Sequence, residues 1–382
     1  MYDYLIVGGG FFGSVFARQM TDAGARCLII EKRDHIAGNC HTQSVGGIHV
    51  HQYGPHIFHT NDEAVWNYVN RFAVFNRFTY RPRVNYRGNF YSFPINLMTL
   101  YQLWGVSTPE QAQKRLEAER VKITKPANLE EWALSQVGRE LYETFIYGYT
   151  RKQWGRDPKE LPTSIIRRIP VRMTWNDDYF NDRFCGIPVG GYTQLFQKLI
   201  DGIPIETGAD FMDDRERFES QAKKIVYTGP LDRFHEYELG SNDWRGLRFE
   251  QQVMNVADYQ GVAAVNHTDV DVPYTRTVEH KHFDPVKSSH TVVTHEYPAD
   301  WKVGDEMFYP VNNRLNEQLQ QKYVEMMPSN YIIGGRLATY KYYDMHQVIA
   351  SAIHTANKEI NSWMPRLLHS DANVDGHRRR AA

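Results

Sequence analysis

Cysteine is scarce in this 382-residue chain. Cys27, Cys40 and Cys185 are the only three, too few to pair completely and without metal-ligand spacing, so neither a disulfide framework nor a zinc site organises the fold. A reducing compartment, the cytoplasm, is expected. No excess of either charge exists: 44 basic against 45 acidic residues leave a net charge of -1, which provides no field to recruit nucleic acid or an anionic membrane. An anionic ligand must therefore be met by local arginines. Apolar runs such as YLIVGGGFF fall far short of the roughly 18 residues of a membrane span. The start has no basic n-region or cleavage site, so no signal peptide is expected. Internal repeats are missing, and no histidine pair at helical spacing stands beside carboxylates, so no metal is expected.

What the chain has in quantity is aromatic residues: 13%, with 24 tyrosines, more than a plain scaffold needs and suited to stacking on flat rings. Its opening, YDYLIVGGGFFGSVFARQMTDAGARCLIIEKR, reads as apolar strand, glycine turn, amphipathic helix and second apolar strand closed by an acid. Gly8, Gly10 and Gly13 form GxGxxG. The first permits a tight turn, the second lets a pyrophosphate approach the backbone, and the third lets the helix pack closely. Amides at the helix start then meet phosphate, and Glu31 is placed to accept the hydroxyls of an adenosine ribose. The continuation EKRDHIAGN is similar to the extended pattern of FAD-binding proteins, which puts flavin ahead of nicotinamide. An FAD oxidoreductase of the amine-oxidase type shares this opening.

Further along, GPHIFHTND places His56 and His59 around a short apolar pair, either as hydrogen-bonding groups of a half-buried turn or as flavin contacts. FTYRPRVNYRGNFYSFPIN reads as two strands around a turn at residues 87–89. Helical spacing dominates from 96, with a break at Gly138, and 96–185 reads as a helical insertion carrying loop signals at Pro162 and Pro170. Strand signals dominate 245–312. The run from Asp344 onward is a helix with Val348, Ile349, Ala352, Ile353 and Ala356 on one face and Asp344 at its N-terminus. The expected organisation is α/β: an FAD-binding Rossmann-like domain in three parts (1–74, 186–235, 325–382), an antiparallel β-sheet domain in two (75–95, 236–324), and a helical substrate domain with a mobile loop (96–185).

Six segments, GGGFFG, GPHIFHTND, GYTRKQWG, RRIPVR, PYTRTVEHKHF and GGRLATYKYYDMHQ, occur in this order over nearly the whole chain. Together they resemble the bacterial UDP-galactopyranose mutases. The resemblance implies a discontinuous Rossmann-like fold with an inserted helical bundle and a six-stranded antiparallel sheet. The implied activity is interconversion of UDP-galactopyranose and UDP-galactofuranose, without net redox change, on a reduced FAD. In the family's scheme the flavin N5 attacks the anomeric carbon, UDP leaves, a flavin-sugar iminium forms, the ring recloses and UDP returns. The product supplies galactofuranose for cell-surface glycans. A cellular reductant, NAD(P)H or a reductase, and a homodimer are implied as well.

Residue by residue, the resemblance assigns the diphosphate to Arg168 and Arg276, with Tyr309 and Tyr342 as hydroxyl donors. These choices agree with the need to neutralise a departing diphosphate. Arg168 falls in the stretch similar to the family's lid. Uracil is assigned to Phe145 and Tyr149, four apart and hence on one helix face. Trp154 and Tyr179 go to the sugar and diphosphate, and Asp344 to the helix start, the polar network of the site, or both. Cofactor contacts are assigned to Gly8, Gly10, Phe12, Gly13, Glu31, Lys32, Gly38, Asn39, His56, Arg245, Gly335, Arg336, Tyr342, Asp344 and Met345. His56 joins the two arginines as a catalytic candidate.

Overall fold

The structure, a computed structural model, describes residues 1–166 and 170–378. The first strand, β1 (Tyr2–Val7), and the second, β2 (Cys27–Glu31), are joined by helix α1 (Phe11–Asp22). Both strands are apolar nearly throughout, as strands covered on two faces must be. They form the middle of a five-stranded parallel sheet in the order Tyr331–Ile333, Ala222–Tyr227, β1, β2, Ile205–Thr207. Widely separated segments of the chain thus build one sheet. On one face α1 packs with the C-terminal helix (Met345–Arg378), burying Phe16 and Met20 against Ile349, Ala352 and Ala356. Burying a side chain of that size contributes roughly 1.5–3 kcal/mol. The other face buries Leu5, Leu28 and Ile225 under Phe211, Phe218 and Phe234.

A second sheet has seven strands, in the order Tyr309–Pro310, Trp244–Met254, Thr291–Asp300, Arg276–Glu279, Ala264–His267, Arg83–Tyr86, Asn89–Ser92. The expected sheet was six-stranded and antiparallel. The two-residue strand Tyr309–Pro310 is one of the seven, and Arg83–Tyr86 joins Ala264–His267 in parallel. That parallel junction is open to the chain because the helical insertion separates the two segments, giving ample length for a crossover. The expected turn is present: Arg87 and Gly88 both have positive φ, 51° and 79°, as a two-residue hairpin loop requires.

Helices Leu97–Trp104, Pro109–Glu119 and Leu129–Leu141 pack around Leu100, Leu116 and Leu134. Asn96, Thr108 and Asn128 cap them through their side chains. Gly138 breaks the third at φ 79°, ψ 177°. The chain then continues through a π-helical stretch, Tyr142–Tyr147, into the helix Gly148–Trp154. Within the expected insertion 96–185, the described helix ends by Ile166. Residues 170–183 are extended or bent, and Pro170 at their start disfavours a helix running into them.

Candidate active site

Between β1 and α1 the chain turns at Gly8, φ 111°, a backbone conformation that favours glycine. A Cβ on Gly13 would collide with the Gly8 carbonyl oxygen, whereas one on Gly10 would meet nothing within 4 Å. No side chain caps α1, so its first amides are left for a ligand. Glu31, 6% exposed at the end of β2, is fixed by this loop. Its Oε2 accepts the Gly9 amide at 2.8 Å and its Oε1 the Arg33 amide at 3.0 Å.

These residues open onto a cavity of about 870 Å³. Every cofactor residue assigned on sequence except Arg245 lines it: Gly8, Gly10, Phe12, Gly13, Glu31, Lys32, Gly38, Asn39, His56, Gly335, Arg336, Tyr342, Asp344 and Met345. A glycine cradle, free helix amides and an anchored carboxylate fit the pyrophosphate and ribose of a dinucleotide. His56 Nδ1 donates to the Gly54 carbonyl at 2.8 Å. Burial, with Arg336 and Arg276 adding to it, lowers the imidazole pKa to about 4, so the ring is neutral and its Nε2 is an acceptor. It therefore makes the turn bond and lines the cavity. His59 lines it too, held by Asp182 Oδ2 at 2.5 Å and stacked on Phe180 at 3.6 Å.

A second cavity of about 1540 Å³ adjoins the first. Tyr149, Tyr179, Arg276, Tyr309 and Tyr342 line both, and Trp154 lines the second. Arg276 is thus at the junction. It opens its strand directly opposite Glu296 on the next, and its Nε lies 3.2 Å from Glu296 Oε2. Burial works against the charge on Arg276, but Glu296 and the surrounding phenols outweigh it and hold the guanidinium pKa above its usual value. Burial raises the carboxyl of Glu296, against the pull of Arg276. The Tyr309 and Tyr342 rings stack at 5.7 Å and 22°. Burial raises the pKa of Tyr80, Tyr179, Tyr309 and Tyr342, so these phenols remain hydroxyl donors at neutral pH. The junction is a fixed cation ringed by neutral donors, suited to an anion with several oxygens.

Three assignments are not brought together with the rest. Phe145 lines neither cavity; it is 5% exposed and packs with Tyr91 and Phe93 in the helical core. It sits in the π-helical stretch Tyr142–Tyr147, whereas Tyr149 belongs to the helix that follows, Gly148–Trp154. Arg245 lines the second cavity and not the first, with its guanidinium bonded to the Asp300 carboxylate and to the Gln153 carbonyl. Arg168 lies outside the described residues. Asp344 does stand at the start of the C-terminal helix: its amide donates to Gln347 Oε1 at 2.9 Å, and it lines the first cavity.

Sequence reasoning missed Tyr80, beside Arg276, and Glu296. It also missed the pair formed by Arg33 and Glu306, which line the first cavity. A glutamate inside an otherwise apolar and threonine-rich strand, TVVTHEYPAD, was the one signal for Glu296.

The model of a family described as UDP-galactopyranose mutase matches residues 144–342, and that of an NAD(P)-binding Rossmann-like domain matches residues 6–72. A probable UDP-galactopyranose mutase of Klebsiella pneumoniae is 40% identical over 94% of this chain and 94% of its own. A dTDP-fucopyranose mutase of Escherichia coli is 39% identical over 95% of this chain and 99% of its own. A UDP-galactopyranose mutase of Mycoplasma genitalium is 31% identical over 94% of each. The fold matches a crystal structure of reduced UDP-galactopyranose mutase with a TM-score of 0.73, over 94% of this chain and 96% of that one, at 16% identity.

Proposed function

Because the chain belongs to the UDP-galactopyranose mutase family, we propose that it interconverts UDP-galactopyranose and UDP-galactofuranose with a bound FAD. The observation that carries this reading is the position of Arg276, shared by the cavity that the glycine loop and Glu31 line and a second, tyrosine-lined one. An ordinary flavin oxidase has no need of a buried cation and four phenols between its cofactor and its substrate.

The glycine loop and Glu31 would hold the pyrophosphate and adenosine ribose, with Arg336 near the same diphosphate. Bound and reduced, the flavin would supply an electron-rich nitrogen as a nucleophile toward the anomeric carbon. The chain's own groups do the rest. Arg276 balances the charge of UDP while it is attached and after it departs, and Tyr309 and Tyr342 donate to its oxygens without adding charge. Arg168 is assigned the same task by resemblance. Tyr149 and Trp154 orient the nucleotide and sugar, and His56, neutral with its acceptor nitrogen free, accepts a hydrogen bond in the cofactor cavity. Electrons from NAD(P)H or a separate reductase would prime the enzyme, a cytoplasmic homodimer supplying galactofuranose for surface glycans.

Replacing Arg276 with alanine is expected to lower turnover by about two to four orders of magnitude while flavin stays bound. Unchanged turnover would refute the phosphate assignment. The 39% identity to a dTDP-fucopyranose mutase favours a second reading, in which the nucleotide is dTDP and the sugar fucose. Comparing kcat/KM for the two nucleotide sugars separates them.

A further inference from the structure

Lys152 belongs to the helix Gly148–Trp154, which also carries Tyr149 and Trp154. Its ammonium bonds four backbone carbonyls: those of His267 and Asp269 at 2.8 Å, and those of Val272 and Tyr274 at 2.9 Å. All four carbonyls lie in or beside the loop that joins strand Ala264–His267 to the strand beginning at Arg276. An ammonium has three N–H donors, so four acceptors around it hold a centred charge rather than three directed bonds. Burial draws its pKa down to about 8, and the negative charge of Asp269 works against that. The first residue of this helix and the π-helical stretch before it also approach the loop. A Cβ on Gly148 would collide with the Thr268 carbonyl, and Thr268 Oγ1 donates to the Thr144 carbonyl at 2.6 Å.

We propose that residues 267–274 form a monovalent-cation cage, of the kind that takes potassium or ammonium, and that Lys152 fills it with the chain's own cation. Converging carbonyls replace a hydration shell in such sites; emptied, these part-buried acceptors lose the donor they share. In this arrangement Lys152 is a positioning residue. It fixes the helix of Tyr149 and Trp154 against the strand of Arg276, and so the width of the junction between the two cavities. Its catalytic consequence rests on the function proposed above, but the cage does not. Arginine is no substitute, because a planar fork of five donors does not match a convergent cage.

The test is Lys152→Ala, with melting temperature and steady-state kinetics measured in lithium, potassium and ammonium chloride at equal ionic strength. Wild-type protein is expected to melt alike in all three. The variant should melt lower in lithium and recover, saturably, in potassium or ammonium. Its KM for the nucleotide sugar should rise about tenfold in lithium and return to within about twofold in potassium, with kcat changing less. Lys152→Arg should not be rescued. Identical melting of the alanine variant in all three salts, or wild-type behaviour of the arginine variant, overturns the proposal. Should the alanine variant not fold, native-state reductive methylation of the wild type decides. Lys152 must resist while Lys223, whose side chain is 62% exposed, reacts; equal reaction of both overturns the cage. If the proposed reaction is wrong, the salt-dependent melting persists and only the kinetic readout is lost.

Discussion

The contact of Gly13 with the Gly8 carbonyl leaves no room for a Cβ, so Gly13→Ala must push α1 away from the turn that shapes the cofactor cavity. The variant is expected to fold and to purify with little or no flavin absorbance. A fully coloured Gly13→Ala protein would show that the loop does not cradle the cofactor. This contact was legible in the sequence because GxGxxG between a strand and a helix has one well-defined backbone solution. Arg276 became legible only through the resemblance, as one arginine among 44 basic residues has no distinguishing mark. Glu296 and Tyr80 stayed hidden for a related reason. Which residue faces Arg276 depends on the register of Arg276–Glu279 against Thr291–Asp300, and a one-residue slip would present another side chain.

At the scale of elements, the break at Gly138 was legible and the π-helical stretch after it was not. Glycine announces a break by its chemistry, whereas a π-turn depends on how Tyr142 and Phe145 fit the surrounding core, which no local pattern encodes. The two residues assigned to uracil thus fall on different elements, Phe145 on the π-helical stretch and Tyr149 on the helix after it. Gly138→Ala places a Cβ against the Glu119 carbonyl at a φ/ψ that glycine alone adopts readily. Unfolding in urea should show a loss of about 2–3 kcal/mol, together with displacement of the helix that carries Tyr149. A loss no larger than that of an exposed surface substitution would mean that the two helices tolerate a different joint. The C-terminal helix, by contrast, was plain in its apolar spacing: Val348, Ile349, Ala352 and Ala356 are buried as their period requires.

For the whole molecule, burial of neutral histidines ties stability to pH. Burial lowers the pKa of His56 and His267 to about 4, and that of His280 to about 3, against roughly 6.5 in an unfolded chain. Below about pH 6.5 the unfolded chain takes up protons that the folded protein refuses. The stabilisation is therefore complete above that value and is lost as pH falls toward 4. Each site contributes a slope of up to about 1.4 kcal/mol per pH unit. Urea midpoints measured between neutral pH and pH 4 should fall with the uptake of more than one proton; a flat profile would contradict the neutral, buried state of these rings. Topology on this scale was legible only in outline. Alternating and continuous apolar runs distinguish the two sheets, but the parallel pairing of Arg83–Tyr86 with Ala264–His267 joins residues about 180 positions apart, beyond the reach of local pattern.

The central claim is that this fold puts a reduced flavin to work on a nucleotide sugar without spending its electrons. The most direct test is to reduce the purified protein with a limiting amount of dithionite under anaerobic conditions, supply UDP-galactofuranose, and count UDP-galactopyranose formed per electron pair. The account predicts many turnovers for each pair, and no reaction by the oxidised protein. Product formed only in proportion to reductant consumed, or equal activity without reduction, would contradict it.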